Sequence, residues 1–104
     1  MSRPSRGEVW WCEDLDKRRP VLVLTRDAAI PVLRTLTVAP VTSTVRNIPS
    51  QVHLDERDGL PRSCAVNLDG IVQVPAWSLT ERVARLDVLR LQSVCRALHA
   101  ALAC

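Results

Sequence analysis

The chain contains no phenylalanine and no tyrosine, and its only aromatic residues are Trp10, Trp11 and Trp77. A sheet face that stacks successive bases needs several exposed rings, so this scarcity argues against RRM-like RNA binding. Lysine is almost missing too, because Lys17 is the single lysine among 14 basic residues. Arginine carries the remaining positive charge, and its planar fork suits phosphate. The net charge of +3 is mild and compatible with nucleic acid as well as with other partners. Cys12, Cys64, Cys95 and Cys104 show no CxxC spacing, and His53 and His99 stand apart. A structural zinc site is therefore not expected, and no metal or cofactor constellation emerges. No signal peptide and no long apolar span is visible, which predicts a cytoplasmic chain that keeps clear of membranes and holds its cysteines reduced.

What is present fits one domain over residues 1–104, with Met1 to Ser5 as a loose start. The most informative stretch is Lys17-Arg18-Arg19-Pro20-Val21-Leu22-Val23-Leu24-Thr25. Three cations stop at a proline, which has no N–H and belongs at a strand's first residue or on an edge. The unbroken apolar run from Val21 to Leu24 then reads as a strand buried on both faces. Arg18 and Arg19 sit at its mouth, either as solvated flanks or as a phosphate site. The acidic run Glu13-Asp14-Leu15-Asp16 immediately before them could neutralise them through ion pairs.

Other segments read as short strands. Arg6 to Cys12 is the first, with Trp10 and Trp11 pointing to opposite faces. Arg26 to Pro31 is a loop with at most one helical turn, and Leu33 to Val41 is a strand in which Pro40 marks a bulge or an edge. It ends on Thr42-Ser43-Thr44, three hydroxyls that either meet one ligand or cap the following turn through local hydrogen bonds. Gln51 to Leu54 and Cys64 to Leu68 alternate as strands around the loop Asp58-Gly59-Leu60-Pro61. Ile71 to Pro75 is extended, and Arg82 to Leu86 adds a last short strand. From Val88 onward, Leu91, Cys95, Leu98 and Leu102 recur at helical spacing, with Asp87 placed as the cap. Six or so short strands and one amphipathic helix favour a curled sheet or small barrel with the helix over one end or side.

Four separated segments, in order and at fitting distances, resemble the MazF/PemK toxins of bacterial toxin–antitoxin systems. They are Arg6-Gly7-Glu8-Val9-Trp10, Arg19-Pro20-Val21-Leu22-Val23-Leu24-Thr25, Ala39-Pro40-Val41-Thr42-Ser43-Thr44-Val45-Arg46 and Asp58-Gly59-Leu60-Pro61-Arg62-Ser63. The resemblance implies a mainly β fold with a C-terminal helix, an SH3-like small barrel of the CcdB/PemK type. It also implies a homodimer, an inhibitory cognate antitoxin, and a metal-independent endoribonuclease that cuts single-stranded RNA at short sequences with the substrate 2′-OH as nucleophile.

In that family catalysis falls to the arginine before the proline and to the threonine closing the later strand, here Arg19 and Thr42. Arg19 would donate to the non-bridging phosphate oxygens, and Thr42 would hold a phosphate oxygen or the 2′-OH. Arg18 as an accessory charge, Ser43 as a helper of Thr42, Arg46 in the third segment and Asp69 at an acidic position near the RNA complete the expected binding set. His53 and His99 are expected to be structural. Two departures stand out: only Glu13 to Arg18 precede Arg19 where many members carry a longer glycine-containing loop, and Gly70 stands where glutamine is common. The alternative reading is a non-enzymatic, CcdB-like module that binds a protein such as gyrase.

Overall fold

In the computed structural model, which describes residues 3–104, the chain forms seven strands followed by one long helix. The strands are β1 Glu8–Cys12, β2 Arg19–Val23, β3 Thr35–Thr42, β4 Gln51–Leu54, β5 Cys64–Asn67, β6 Val72–Pro75 and β7 Leu79–Arg85, and the helix is α1 Val88–Leu102. The sheet runs β4-β5-β3-β2-β1-β7, with β6 also paired to β3. All these pairings are antiparallel. Only β1–β2, β2–β3 and β4–β5 join strands consecutive in the chain, whereas β3–β5, β3–β6 and β1–β7 bring together strands that are distant in sequence.

The apolar run of β2 lies at the centre, and Val21, Leu22 and Val23 are all fully buried. Its alternation feeds two cores. Leu22 joins Val9, Ala39, Val41, Val52, Leu54, Val66 and Ala84 in the first, whereas Val21 and Val23 join Trp10, Cys12, Leu36, Val38, Val74 and Leu79 in the second. Because residues of β4 and β7, the two ends of the sheet path, share the first core, the sheet must curl round it. A 3₁₀ turn at Glu56–Asp58 helps to close the seam, since a Cβ on the following Gly59 would lie 3.1 Å from the Ala84 Cβ.

Pro40 pairs with Val21 in regular register. It falls between the β3–β6 ladder, which ends at Val38, and the β3–β5 ladder, which begins at Val41. The missing N–H is thus placed where β3 changes partners, a local edge rather than a bulge. The irregularities lie instead in the β1–β7 pairing, where the register slips after Val9 and again after Trp11. Two residues of β7, Val83 and Thr80, are thereby left without a partner, and β7 begins three residues before the sequence pattern indicated.

The first family-like segment is scaffold. Arg6 Nη1 donates to the Leu24 carbonyl at 2.6 Å. Gly7, at φ +89°, admits the Leu91 side chain to within 2.9 Å of where a Cβ would stand. The buried Glu8 carboxylate accepts from Ser5 N at 2.8 Å and from Trp10 Nε1 at 3.0 Å, and meets Arg82 Nη1 at 3.2 Å. Ser5 N is thus tied to Glu8, while Met1 and Ser2 of the expected loose start lie outside the described residues.

Asp87 caps α1 as its position implied, accepting from Arg90 N at 2.8 Å. The packed stripe of the helix differs from the expected one. Val94 and Ala97 are buried, with Leu91, Leu98 and Ala101 against the same core, whereas Val88, Cys95 and Leu102 are exposed. Leu91 and Leu98 belong to both faces, and the packed face is turned from the expected one by about one position, toward Val94, Ala97 and Ala101. The segment after β2 is a loop of turns, as expected, and within it Ala29 and Ile30 are buried, Ile30 in the second core.

Candidate active site

Arg18 and Arg19 emerge at the start of β2, and Thr42 closes β3 beside it, so strand pairing brings an arginine and a hydroxyl to one end of the sheet. Two clefts meet there. One, of about 450 Å³, is lined by Trp11, Lys17, Arg18, Arg19, Thr42 and Ser43 among others. The second, of about 360 Å³, contains Arg19, Thr42, Thr44, Arg46, Gln51, Asn67 and Asp69. Arg19, Thr42 and Thr44 belong to both. All six residues singled out in the sequence therefore line one continuous depression, with Arg19 and Thr42 at its waist.

The two adjacent arginines differ electrostatically. Arg18 Nε lies 2.6 Å from Glu13 Oε2, and its Nη2 lies 3.5 Å from Glu81 Oε1. Its guanidinium carbon sits 4.3 Å from the centre of the Trp11 ring. The Arg18 hydrogen bond holds the Glu13 carboxyl below its ordinary pKa. Arg19 has no ion pair among the described residues, and its Nε is buried without a hydrogen-bond partner. A buried, unsatisfied donor is costly unless a ligand completes it. The acidic run before β2 thus neutralises one arginine and leaves its neighbour open.

Thr42 Oγ1 accepts a hydrogen bond from Thr44 N at 3.0 Å. The turn-capping role and a ligand-facing role coexist here, because the hydroxyl proton remains to be donated. Ser43 is exposed beside it. In the second cleft, Gln51 Oε1 accepts from Arg46 N at 2.7 Å, and the His53 Nε2 and Arg46 carbonyl oxygen are 3.0 Å apart, which fixes the backbone that presents the Arg46 side chain. Asp69 Oδ2 accepts from Ser50 Oγ at 2.5 Å, and Asp69 N donates to Asn67 Oδ1 at 3.1 Å. Asp69 makes no ion pair with Arg46, so both charges reach the cleft without an ionic partner, Asp69 held there by Ser50.

Three wall residues were not assigned to the site from the sequence, although Arg62 lies in the fourth family-like segment. Arg62 projects from the loop after Gly59, Trp11 forms a side of the first cleft, and Cys64 lies at its base. Burial, reinforced by the nearby Asp58 charge, pushes the Cys64 thiol above its ordinary pKa, so it stays protonated and unsuited to attack. Among the described residues, no three of His, Cys, Asp and Glu gather as a group able to hold a metal ion.

A curled seven-stranded sheet whose one end bears an unpaired arginine, a free hydroxyl proton and an open cationic cleft is a small β domain equipped to grip a phosphodiester. Residues 5–102 match the family model of the PemK-like, MazF-like toxins of type II toxin–antitoxin systems, and the chain belongs to that family. It is 50% identical over 103 residues to a probable endoribonuclease, MazF5, of Mycobacterium tuberculosis (strain ATCC 25618 / H37Rv), covering 97% of this chain and 94% of that protein. Among solved structures, the Mycobacterium tuberculosis toxin MazF-mt6 superposes with a TM-score of 0.87 at 32% identity, over 92% of this chain and 96% of that one. An endoribonuclease from a mycobacterial species, in complex with its cognate antitoxin, gives a TM-score of 0.87 at 25% identity, over 96% and 95% of the two chains. The fold is the PemK/CcdB-type small barrel that the family resemblance implied.

Proposed function

We propose that residues 1–104 form a single toxin domain that acts as a sequence-selective endoribonuclease on single-stranded RNA in the cytoplasm. The observation that carries this reading is the pairing of Arg19, with its buried and unpartnered Nε, and Thr42 at the waist of the cleft. The relatives named as endoribonucleases support it. RNA supplies its own nucleophile. The 2′-oxygen loses its proton and bonds to the adjacent phosphorus, the P–O5′ bond breaks, and the products carry a 2′,3′-cyclic phosphate and a 5′-hydroxyl. DNA, without that hydroxyl, is not cut.

The protein's task is then to orient the phosphodiester and stabilise the added negative charge. Arg19 donates to the non-bridging oxygens, and Thr42 Oγ1, already fixed by Thr44 N, donates its proton to a phosphate oxygen or orients the 2′-OH. Ser43, Arg46 and Asp69 contact the flanking nucleotides. In this reading the toxin works as a homodimer without a metal, and a cognate antitoxin, such as the one bound to the mycobacterial relative, blocks the cleft. Purified protein incubated with long single-stranded RNA in EDTA should yield discrete ends at a short recurring sequence. Arg19→Ala should lower the rate about 10²–10³-fold, as for loss of one preorganised donor. Absence of cleavage by the unaltered protein, or undiminished cleavage by the variant, defeats the proposal.

A further inference from the structure

Arg18 is the one cleft arginine whose charge is already answered. Glu13 holds its Nε at 2.6 Å, Glu81 lies 3.5 Å from its Nη2, and its guanidinium carbon sits over the Trp11 ring at 4.3 Å. Thr80 Oγ1 also donates to Glu13 Oε2, at 3.0 Å, which steadies the carboxylate that steadies the arginine. Yet the Arg18 side chain remains 46% exposed and lines the same cleft as Arg19 and Thr42. A charge so balanced adds little to phosphate binding. What it does offer is a planar cation held over an indole by two carboxylates, with nearly half of its side chain still open at the cleft.

Guanidinium planes are stacking surfaces for splayed-out nucleobases, as aromatic rings are. Preorganisation matters here, because a free arginine would lose side-chain entropy on ordering, whereas this one is already fixed from two sides. We propose that the Trp11–Arg18 pair is a stacking platform for the base of a nucleotide beside the one held at Arg19 and Thr42. The pair forms a three-layer stack of indole, guanidinium and base, and Glu13 and Glu81 are positioning residues that keep the middle layer flat. The proposal rests on the endoribonuclease reading for its substrate. It assigns Arg18 a base contact, a more specific role than that of the accessory charge expected from the sequence.

The discriminating variant is Arg18→Lys, which keeps the charge and its carboxylate partners but removes the plane. Affinity is read on short single-stranded RNAs carrying one abasic nucleotide at each position in turn, alongside the unmodified RNA. Arg18→Lys should weaken binding of the unmodified RNA about 5- to 150-fold, the range expected for one lost stacking contact. KM should rise correspondingly while the single-turnover rate at saturation holds. At one position, removal of the base should cost the unaltered protein the same factor and cost Arg18→Lys nothing further. Equal affinity of Arg18→Lys and the unaltered protein, or abasic penalties that are the same in both at every position, overturns the platform. The binding comparison needs no cleavage. If the unaltered protein bound RNA without cutting it, the enzymatic reading would fail while the stacking cycle would still be decided.

Discussion

Asp58 Oδ1 accepts a hydrogen bond from Arg90 Nε at 2.8 Å, and this contact ties the first turn of α1 to the loop that carries Arg62. The Asp58 side chain is only 8% exposed, and its second oxygen accepts from Asp55 N at 3.0 Å, completing a capping box. The hydrogen bond to Asp58 raises the Arg90 pKa above its ordinary value. Asp58→Ala should therefore destabilise the protein by about 2–3 kcal/mol, since it removes both a charge-assisted bond and a cap. In a double-mutant cycle with Arg90→Met, urea unfolding should show a coupling of about 1–2 kcal/mol, above that of a surface pair because Asp58 is nearly buried. Additive losses would show that the contact is incidental.

The next residue along sets the seam of the barrel. Gly59 has φ +93°, and a Cβ there would come within 3.1 Å of the Ala84 Cβ on β7. Gly59→Ala meets both a left-handed backbone and a close neighbour, so we expect a loss of about 1–2 kcal/mol. For a domain of this size that lowers Tm by about 5–10 °C. Calorimetry of the variant measures it, and an unchanged Tm would mean that the loop relaxes away from β7.

Much of this architecture was legible because its elements have strong periodic signals. The Val21-Leu22-Val23 run could only be a strand covered on both sides, and Asp87 before a three-and-four spacing could only open a helix. The packed face of α1 was less legible, since Ala97 and Ala101 carry a weak apolar signal and Val94 lies one position off the Leu91–Cys95 spacing. The burial of the loop residues Ala29 and Ile30 was not legible either, because it comes from tertiary packing, to which local pattern is blind. At the site, the proline-led strand and the hydroxyl-terminated one marked Arg18, Arg19 and Thr42 to Thr44 as candidates, and only the family resemblance singled out Arg19 and Thr42. That Arg18 would be neutralised and Arg19 left open depended on which way two side chains point from neighbouring residues. The sequence held the acidic partner, Glu13, but not the choice between them.

Glu8 supplies a pH test. Burial pushes its carboxyl upward, but hydrogen bonds from Trp10, Ser5 N and Arg82 outweigh it and leave the folded pKa below the ordinary 4.5. With a depressed folded value, the folded state binds fewer protons than the unfolded chain, so the contribution is complete above about 4.5 and is lost as pH falls through the folded pKa. Glu13 and Asp55 are shifted in the same direction. Glu8→Gln should cost about 1–3 kcal/mol at pH 7 by leaving donors of the buried cluster short of an acceptor. The gap between the variant and the unaltered protein in urea unfolding should narrow below pH 4. A gap that stayed constant with pH would place the loss in packing rather than in charge.

Arg62 offers the most direct probe of how the cleft holds RNA. Of the arginines on the segment from Asp55 to Ser63, Arg57 is engaged by Asp55 at 3.0 Å, whereas Arg62 has no ion pair among the described residues and opens onto the cleft with Arg19. Its loop is fixed by buried Leu60 and by the Asp58 contacts, so the charge is presented rather than free to wander. A phosphate flanking the cleaved bond is the partner such a charge fits. Arg62→Ala should weaken RNA binding several-fold and reduce the slope of log affinity against log salt by about 0.7, the value for one single-strand phosphate contact. Arg62→Lys should restore most of both, because a phosphate accepts a point charge where a stacked base would not. Unfolding of either variant should match the unaltered protein. A full affinity loss with no change in salt slope would instead assign Arg62 to a base edge.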